Sequence, residues 1–210
     1  MKSLAGFIRT SCIKAEDFSV EKKFLSSLWQ LDSQSPQFVD GLLKMRRLAR
    51  RKLSPKAFYS KLCAIKEKDS LLIYAEKEYL FSLKFARLGE FCIADSFDEN
   101  AKPIAFSLVT LGFPATQVGD VLYKNNEFLD YFLWHGYCGA LTEAFADYAQ
   151  AKLLCVSPKK RRFSFGYPSC GELAQQNKII DYFNTIKTGI ESNESGQLEP
   201  LFTTCAVVIL

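Results

Sequence analysis

The sequence predicts an α+β fold, and three observations carry that prediction. Helical spacing and strand-like composition both occur, but the two kinds of run do not alternate one for one as in a doubly wound sheet. No strand-like run is followed by GxGxxG or GxxxxGK[ST], and none of the 11 glycines falls in a GxG, which removes the nucleotide-binding Rossmann and P-loop readings. The chain has 210 residues, 48% of them hydrophobic, with 18 Phe. A chain of that size buries about 70% of its unfolded surface, enough for a core without covalent staples.

Residues 1–53 read as an N-terminal helical extension, and 54–210 as the main domain. Leu42, Met45, Leu48 and Ala49 fall at helical spacing, with Lys44, Arg46, Arg47, Arg50, Arg51 and Lys52 on the other faces. Ser54-Pro55 turns the chain. Strands are expected at Ala57–Ile65, Leu71–Ala75, Phe91–Ala94 and Ile104–Leu111, with polar turns at Lys66–Ser70 and Asp98–Lys102. Gly112–Pro114 ends the last of these.

A long helix is expected over about Glu127–Leu154, capped by Asn125 or Asn126. Glu127 and Asp130 suit the positive end of its dipole. Leu129, Phe132, Leu133, Leu141 and Phe145 are its expected core residues, and Gly136, Gly139, Ala140 and Ala144 allow another element close approach. A second helix is expected over Glu172–Lys187 through Leu173, Ile179, Ile180, Phe183 and Ile186. Ser192–Gly196 reads as a turn and Leu201–Leu210 as a closing strand.

Composition excludes several classes. The net charge of +4 is not that of a nucleic-acid-binding chain, although Arg46–Lys52 and Lys159–Arg162 form two basic clusters. Those clusters leave nucleic acid as the third-ranked partner, because no aromatic residues are interleaved with the charge. The seven cysteines (Cys12, Cys63, Cys92, Cys138, Cys155, Cys170, Cys205) are odd in number and contain no CxxC. They read as buried thiols of a reducing, cytoplasmic compartment. With a single His and no paired Cys, no metal site is expected. The most apolar window, Phe128–Leu141, is too short to span a bilayer, so no membrane partner is expected. There is no GxSxG elbow, and His135 in an apolar helix reads as a core or rim residue. No catalytic residue is predicted.

Three stretches nevertheless point to one family. FCIADSF (Phe91–Phe97) precedes the apolar run IAFSLVTLG (Ile104–Gly112). LTEAFADYAQAKL lies in the long helix. RFSFGYPSC (Arg162–Cys170) precedes a helix beginning ELAQQ. In this order and spacing, over about residues 90–180, they resemble the activation (reactivation) domain of cobalamin-dependent methionine synthase. That family reads Leu-Ala-Asp-Phe, Leu-Ala-Glu-Ala-Phe-Ala-Glu-Tyr-Leu and Arg-x-x-x-Gly-Tyr-Pro-Ala-Cys at the corresponding places.

The resemblance implies a central, mostly antiparallel sheet flanked by helices. It also implies S-adenosylmethionine as ligand, with Asp95, Arg162, Ser164 and Tyr167 as binding residues. A carboxylate at Asp95 suits the ligand's ammonium. The fork of Arg162 suits its carboxylate. Ser164 would contact it through backbone, and the Tyr167 ring would face the sulfonium. Taken singly, Asp95 could end a strand, Arg162 could belong to a solvated basic loop, and Tyr167 could be core.

The resemblance further implies a module that acts in trans. It would offer S-adenosylmethionine to cobalamin held by a methionine synthase-like or other cobalamin-binding partner, with a flavodoxin-like electron donor steered by the basic clusters. Against the family pattern, Phe165 and Gly171 stand where prolines are expected. The chain is also expected to be shortened at its C-terminus, where Val207–Leu210 replaces the continuation. The alternative reading is a non-enzymatic protein-interaction module that keeps the fold without the ligand.

Overall fold

In the computed structural model, residues 20–151, 162–184 and 187–210 are described. They form a six-stranded sheet of order β3-β2-β1-β4-β8-β5, with every neighbouring pair antiparallel. The strands are β1 (Lys56–Glu67), β2 (Ser70–Ala75), β3 (Glu78–Lys84), β4 (Lys102–Thr110), β5 (Arg162–Ser164) and β8 (Thr203–Ile209). A small hairpin joins β6 (Glu191–Ser192) to β7 (Leu198–Glu199) across the turn expected there.

Both faces of the sheet are covered, which is why central β4 is buried from Ile104 through Thr110. One face carries Ala57 and Val109 into a core shared with four helices: α1 (Lys22–Trp29), α2 (Pro36–Lys52), α3 (Phe113–Lys124) and α4 (Phe128–Ala149). The alternate residues Phe58, Leu62, Ile104, Phe106, Leu108 and Val207 face the other way. They pack with Ile93 and with Ile179, Ile180 and Phe183 of α5 (Asn177–Asn184). The period-2 alternation of strand side chains splits the two cores.

Helix α2 opens on a capped first turn. The Ser35 hydroxyl accepts the Phe38 N–H at 3.2 Å, and Pro36 occupies the first turn. Its basic last turn, Arg50–Lys52, sits at the negative end of the dipole. Leu42, Met45 and Ala49 are buried as expected, in the same core as α4.

Elsewhere the elements differ from expectation. Phe91–Ala94 is not a strand. Only a bridge between Leu88 and Phe91 forms, followed by a 3₁₀ turn at Ile93–Ser96. The Asp95 carboxylate accepts the Cys92 N–H at 3.2 Å, and such a local bond competes with a ladder. Gly112–Pro114 ends the strand as expected and also opens α3, a helix not foreseen, because proline in a first helical turn forfeits no bond. The Asn residues therefore join two helices, and Asn126 adopts φ +61°. β3 and β5 were not foreseen, the first half-buried and the second only three residues long.

The expected helix over Glu172–Lys187 begins as a 3₁₀ segment, Leu173–Gln176, before α5. In α4, Leu133, Leu141 and Phe145 are core, but Leu129 is 72% exposed and Phe132 48%. Trp134, Tyr137 and Cys138 fill the core in their place, and Trp134 Nε1 donates to the Ala115 carbonyl at 2.8 Å. The expected helix end beyond Ala151 and the basic residues Lys159–Arg161 lie outside the described residues. No helix among the described residues is long and apolar enough to cross a membrane.

Candidate functional site

Strand β5 is the edge of the sheet beside α4. Arg162 and Ser164 are paired with Val208 and Ala206, so both lie on the face that α4 covers. Glu143 and Asp147 stand one helical turn apart on α4 and both reach the Arg162 guanidinium. Arg162 Nη2 donates to Glu143 Oε2 at 2.6 Å and to Asp147 Oδ1 at 3.1 Å. Nη1 approaches the Ser164 hydroxyl at 3.4 Å. The Arg162 side chain is only 11% exposed, while the two carboxylates are about half exposed. It is therefore not part of a solvated basic loop.

Beyond Ser164 the chain reverses through Gly166, whose φ of +96° is costly for any residue with a Cβ. Tyr167 follows, 61% exposed, and a 3₁₀ turn at Pro168–Cys170 closes the loop. The loop is anchored on β3. Gly171 lies so near the Lys84 carbonyl that a Cβ would stand 3.2 Å from it. Gln175 then accepts the Lys84 N–H at 2.8 Å and donates to its carbonyl at 2.7 Å, mimicking one more strand partner.

Together Glu143, Arg162, Phe163, Ser164, Tyr167 and Ser169 line a cavity of about 290 Å³. That lies near the lower bound, about 300 Å³, for small-molecule sites. Its floor holds one fixed cation, its wall a carboxylate, and its rim an exposed phenol ring. Such a set can hold a zwitterion, with carboxylate toward Arg162 and ammonium toward Glu143. Burial raises the Asp147 carboxyl above its ordinary range; Arg162 opposes this and Glu143 adds to it.

Of the residues the sequence suggested, Arg162, Ser164 and Tyr167 share this cavity, and Asp95 does not line it. Asp95 sits in the 3₁₀ turn on the other face of the sheet. It accepts from Lys66 Nζ at 2.7 Å and from Arg87 at 3.0 and 3.2 Å. Arg87 also donates to Asp69 at 2.6 Å. Hydrogen bonds from Arg87 and then Lys66 hold the Asp95 carboxyl well below the usual carboxylate range. The segment before it does approach β5, with the rings of Phe91 and Phe163 6.3 Å apart. Glu143 and Asp147 were not singled out from the sequence. Their signal was a pair of carboxylates four residues apart in TEAFAD, a spacing that is usually only a solvated helix face. No group of three or more potential metal ligands occurs among the described residues.

No family model matches the chain. The chain is similar to the methionine synthases of Mycobacterium leprae (strain TN) and Mycobacterium tuberculosis (strain ATCC 25618 / H37Rv). Each is 25% identical over 189 residues, covering 72% of this chain. The chain spans 16% of the length of those relatives. The crystal structure of the MetH reactivation domain bound to AdoHcy superposes with a TM-score of 0.75 at 17% identity. That match covers 94% of this chain and 76% of the other. At that identity the structural likeness is one of fold.

Proposed function

We propose that this chain, which belongs to the methionine synthase activation-domain family, binds a ligand of the S-adenosylmethionine type in the cavity between β5 and α4. The observation that carries the reading is Arg162, almost buried yet lining an open cavity opposite Glu143, with Tyr167 at the rim. The fold it shares with an AdoHcy-bound domain supports the same ligand class.

In this reading the ligand carboxylate takes the Arg162 fork, its ammonium takes Glu143, and the Tyr167 ring faces the sulfonium. Ser164 contributes through its backbone. The ammonium-binding part that the family resemblance assigns to Asp95 falls to Glu143, because Asp95 is already held by two cations outside the cavity.

The bound ligand would be presented to cobalamin held by a methionine synthase-like partner, for reductive remethylation. Exposed Arg47, Arg50, Arg51 and Lys52 of α2 would steer an acidic, flavodoxin-like electron donor. The chain's own part is positioning and electrostatics.

Calorimetry on the full chain tests the ligand. S-adenosylmethionine is expected to bind, Arg162→Ala and Glu143→Gln to weaken it at least tenfold, and Asp95→Asn to change it less than twofold. No heat with the native chain would sink the assignment. Loss of binding in Asp95→Asn, with Glu143→Gln unaffected, would return the carboxylate role to Asp95.

A further inference from the structure

We infer that Asp147 tunes the cavity toward a cationic ligand, placing S-adenosylmethionine above its demethylated product S-adenosylhomocysteine in affinity. The inference rests on the ligand reading above and concerns a residue that does not line the cavity.

Arg162 Nη2 is shared between Glu143 and Asp147. Among the described residues, this ion-paired cluster holds one cation and two carboxylates, a net charge of −1. One carboxylate would suffice to neutralise Arg162. The second is in excess, and it sits four residues from the first on a helix that cannot move it away.

The charges of the two ligands decide what that excess does. Both carry an α-ammonium and an α-carboxylate, which Glu143 and Arg162 can match one to one. S-adenosylmethionine carries a sulfonium in addition, for a net charge of +1, and S-adenosylhomocysteine carries a neutral thioether. With the sulfonium ligand bound, the cluster plus ligand is neutral. With the thioether ligand, the Asp147 charge stays uncompensated in a partly desolvated cleft. The carboxyl is already under-compensated without ligand: burial, with Glu143 beside it, holds it above its ordinary range in spite of Arg162.

Asp147 is half exposed, so solvent screens the effect. At a separation of several ångströms and the water-like dielectric that half exposure brings, one charge alters the affinity ratio by about threefold, less at high salt. That selectivity favours exchange of the spent ligand for a fresh one.

Calorimetry of the full-length chain with each ligand, at low and high salt, provides the test. Native chain is expected to prefer S-adenosylmethionine. Asp147→Asn should lower the preference about threefold by weakening that ligand alone, and Asp147→Glu should restore it. Added salt should shrink the native preference and leave that of Asp147→Asn unchanged. Equal loss of affinity for both ligands in Asp147→Asn would overturn the inference and leave Asp147 as a support for Arg162. Binding of neither ligand to the native chain would overturn the reading of the cavity itself, and this inference with it.

Discussion

The indole of Trp29 on α1 closes directly onto Gly136 of α4. A Cβ at residue 136 would stand 2.6 Å from Trp29 Nε1 and 2.8 Å from Leu28 Cδ2. This contact seats α1 on α4, the helix that also carries Glu143 and Asp147.

Gly136→Ala should therefore destabilise the chain. Alanine gains about 1 kcal/mol of helix propensity, but overpacking against a rigid indole costs about 1–3 kcal/mol. Gly139, one turn on, has nothing within 4 Å of an added Cβ. Gly139→Ala should stabilise by up to about 1 kcal/mol. Urea denaturation of the two variants should show midpoints displaced in opposite directions.

Arg162→Lys should bind S-adenosylmethionine several-fold more weakly than the native chain, yet better than Arg162→Ala. Lysine keeps the charge but loses the fork that reaches Glu143, Asp147 and Ser164 together. Calorimetry on the three proteins would rank them, and equal affinity for Lys and Arg would show that only net charge matters.

Asp95 should contribute to acid stability. Its folded-state pKa lies below its unfolded one, so the unfolded chain takes up the proton first as pH falls. The contribution is complete above about pH 4 and is lost as pH drops through the folded value. Asp95→Asn should be less stable at pH 7 and should lose less than the native chain between pH 5 and pH 2. Parallel losses in circular-dichroism titrations would contradict this.

His135 should act in the same direction as Asp95, but in a higher pH window. Burial lowers its pKa from the ordinary 6.5, with Asp120 opposing, and its ring lies 4.2 Å from Tyr131 and 5.1 Å from Phe202. The unfolded chain therefore binds the proton more readily below about pH 6.5, and stability falls with pH there. His135→Gln should flatten the dependence between pH 5 and 7, visible in denaturation midpoints, with its difference from native smallest at pH 5.

The thiols should separate by burial. Cys170 is pushed up to about 11 by burial, and burial also raises Cys138 and Cys205. Of the five described cysteines only Cys63 is not buried. Iodoacetamide at pH 8 should modify Cys63 in the folded chain, with Cys92, Cys138, Cys170 and Cys205 following only in denaturant. Peptide mass mapping reads the order.

Much of the architecture was legible because it follows short periodicities. Leu42, Met45 and Ala49 marked the buried stripe of α2, and the unbroken run Ile104–Leu111 marked a strand covered on both faces. Reading failed where a local bond or a neighbour decides. Asp95 captures the Cys92 N–H and ends a would-be strand. Pro114 not only follows the end of a strand, as expected, but opens a helix that was not. Leu129 and Phe132 carry core-like side chains on a turn that no other element covers well enough to bury. In the site, the motif RFSFGYPSC marked Arg162, Ser164 and Tyr167, whereas nothing in TEAFAD distinguished a cavity wall from a solvated helix face.

By itself, then, the sequence determined the α+β class, the apolar stripe of α2 and β4, and the loop after Arg162, since these depend on periodicity and on Gly and Pro within a few residues of one another. Only the tertiary structure decided which charges meet. Arg162 is 19 residues from Glu143 and joins it because antiparallel pairing with β8 lays β5 alongside α4. Asp95, only four residues beyond Phe91 at the edge of β5, is turned away to Lys66 and Arg87 on the opposite face. Long-range ion pairs are set by sheet order and side-chain direction, and neither is encoded in the spacing along a single segment.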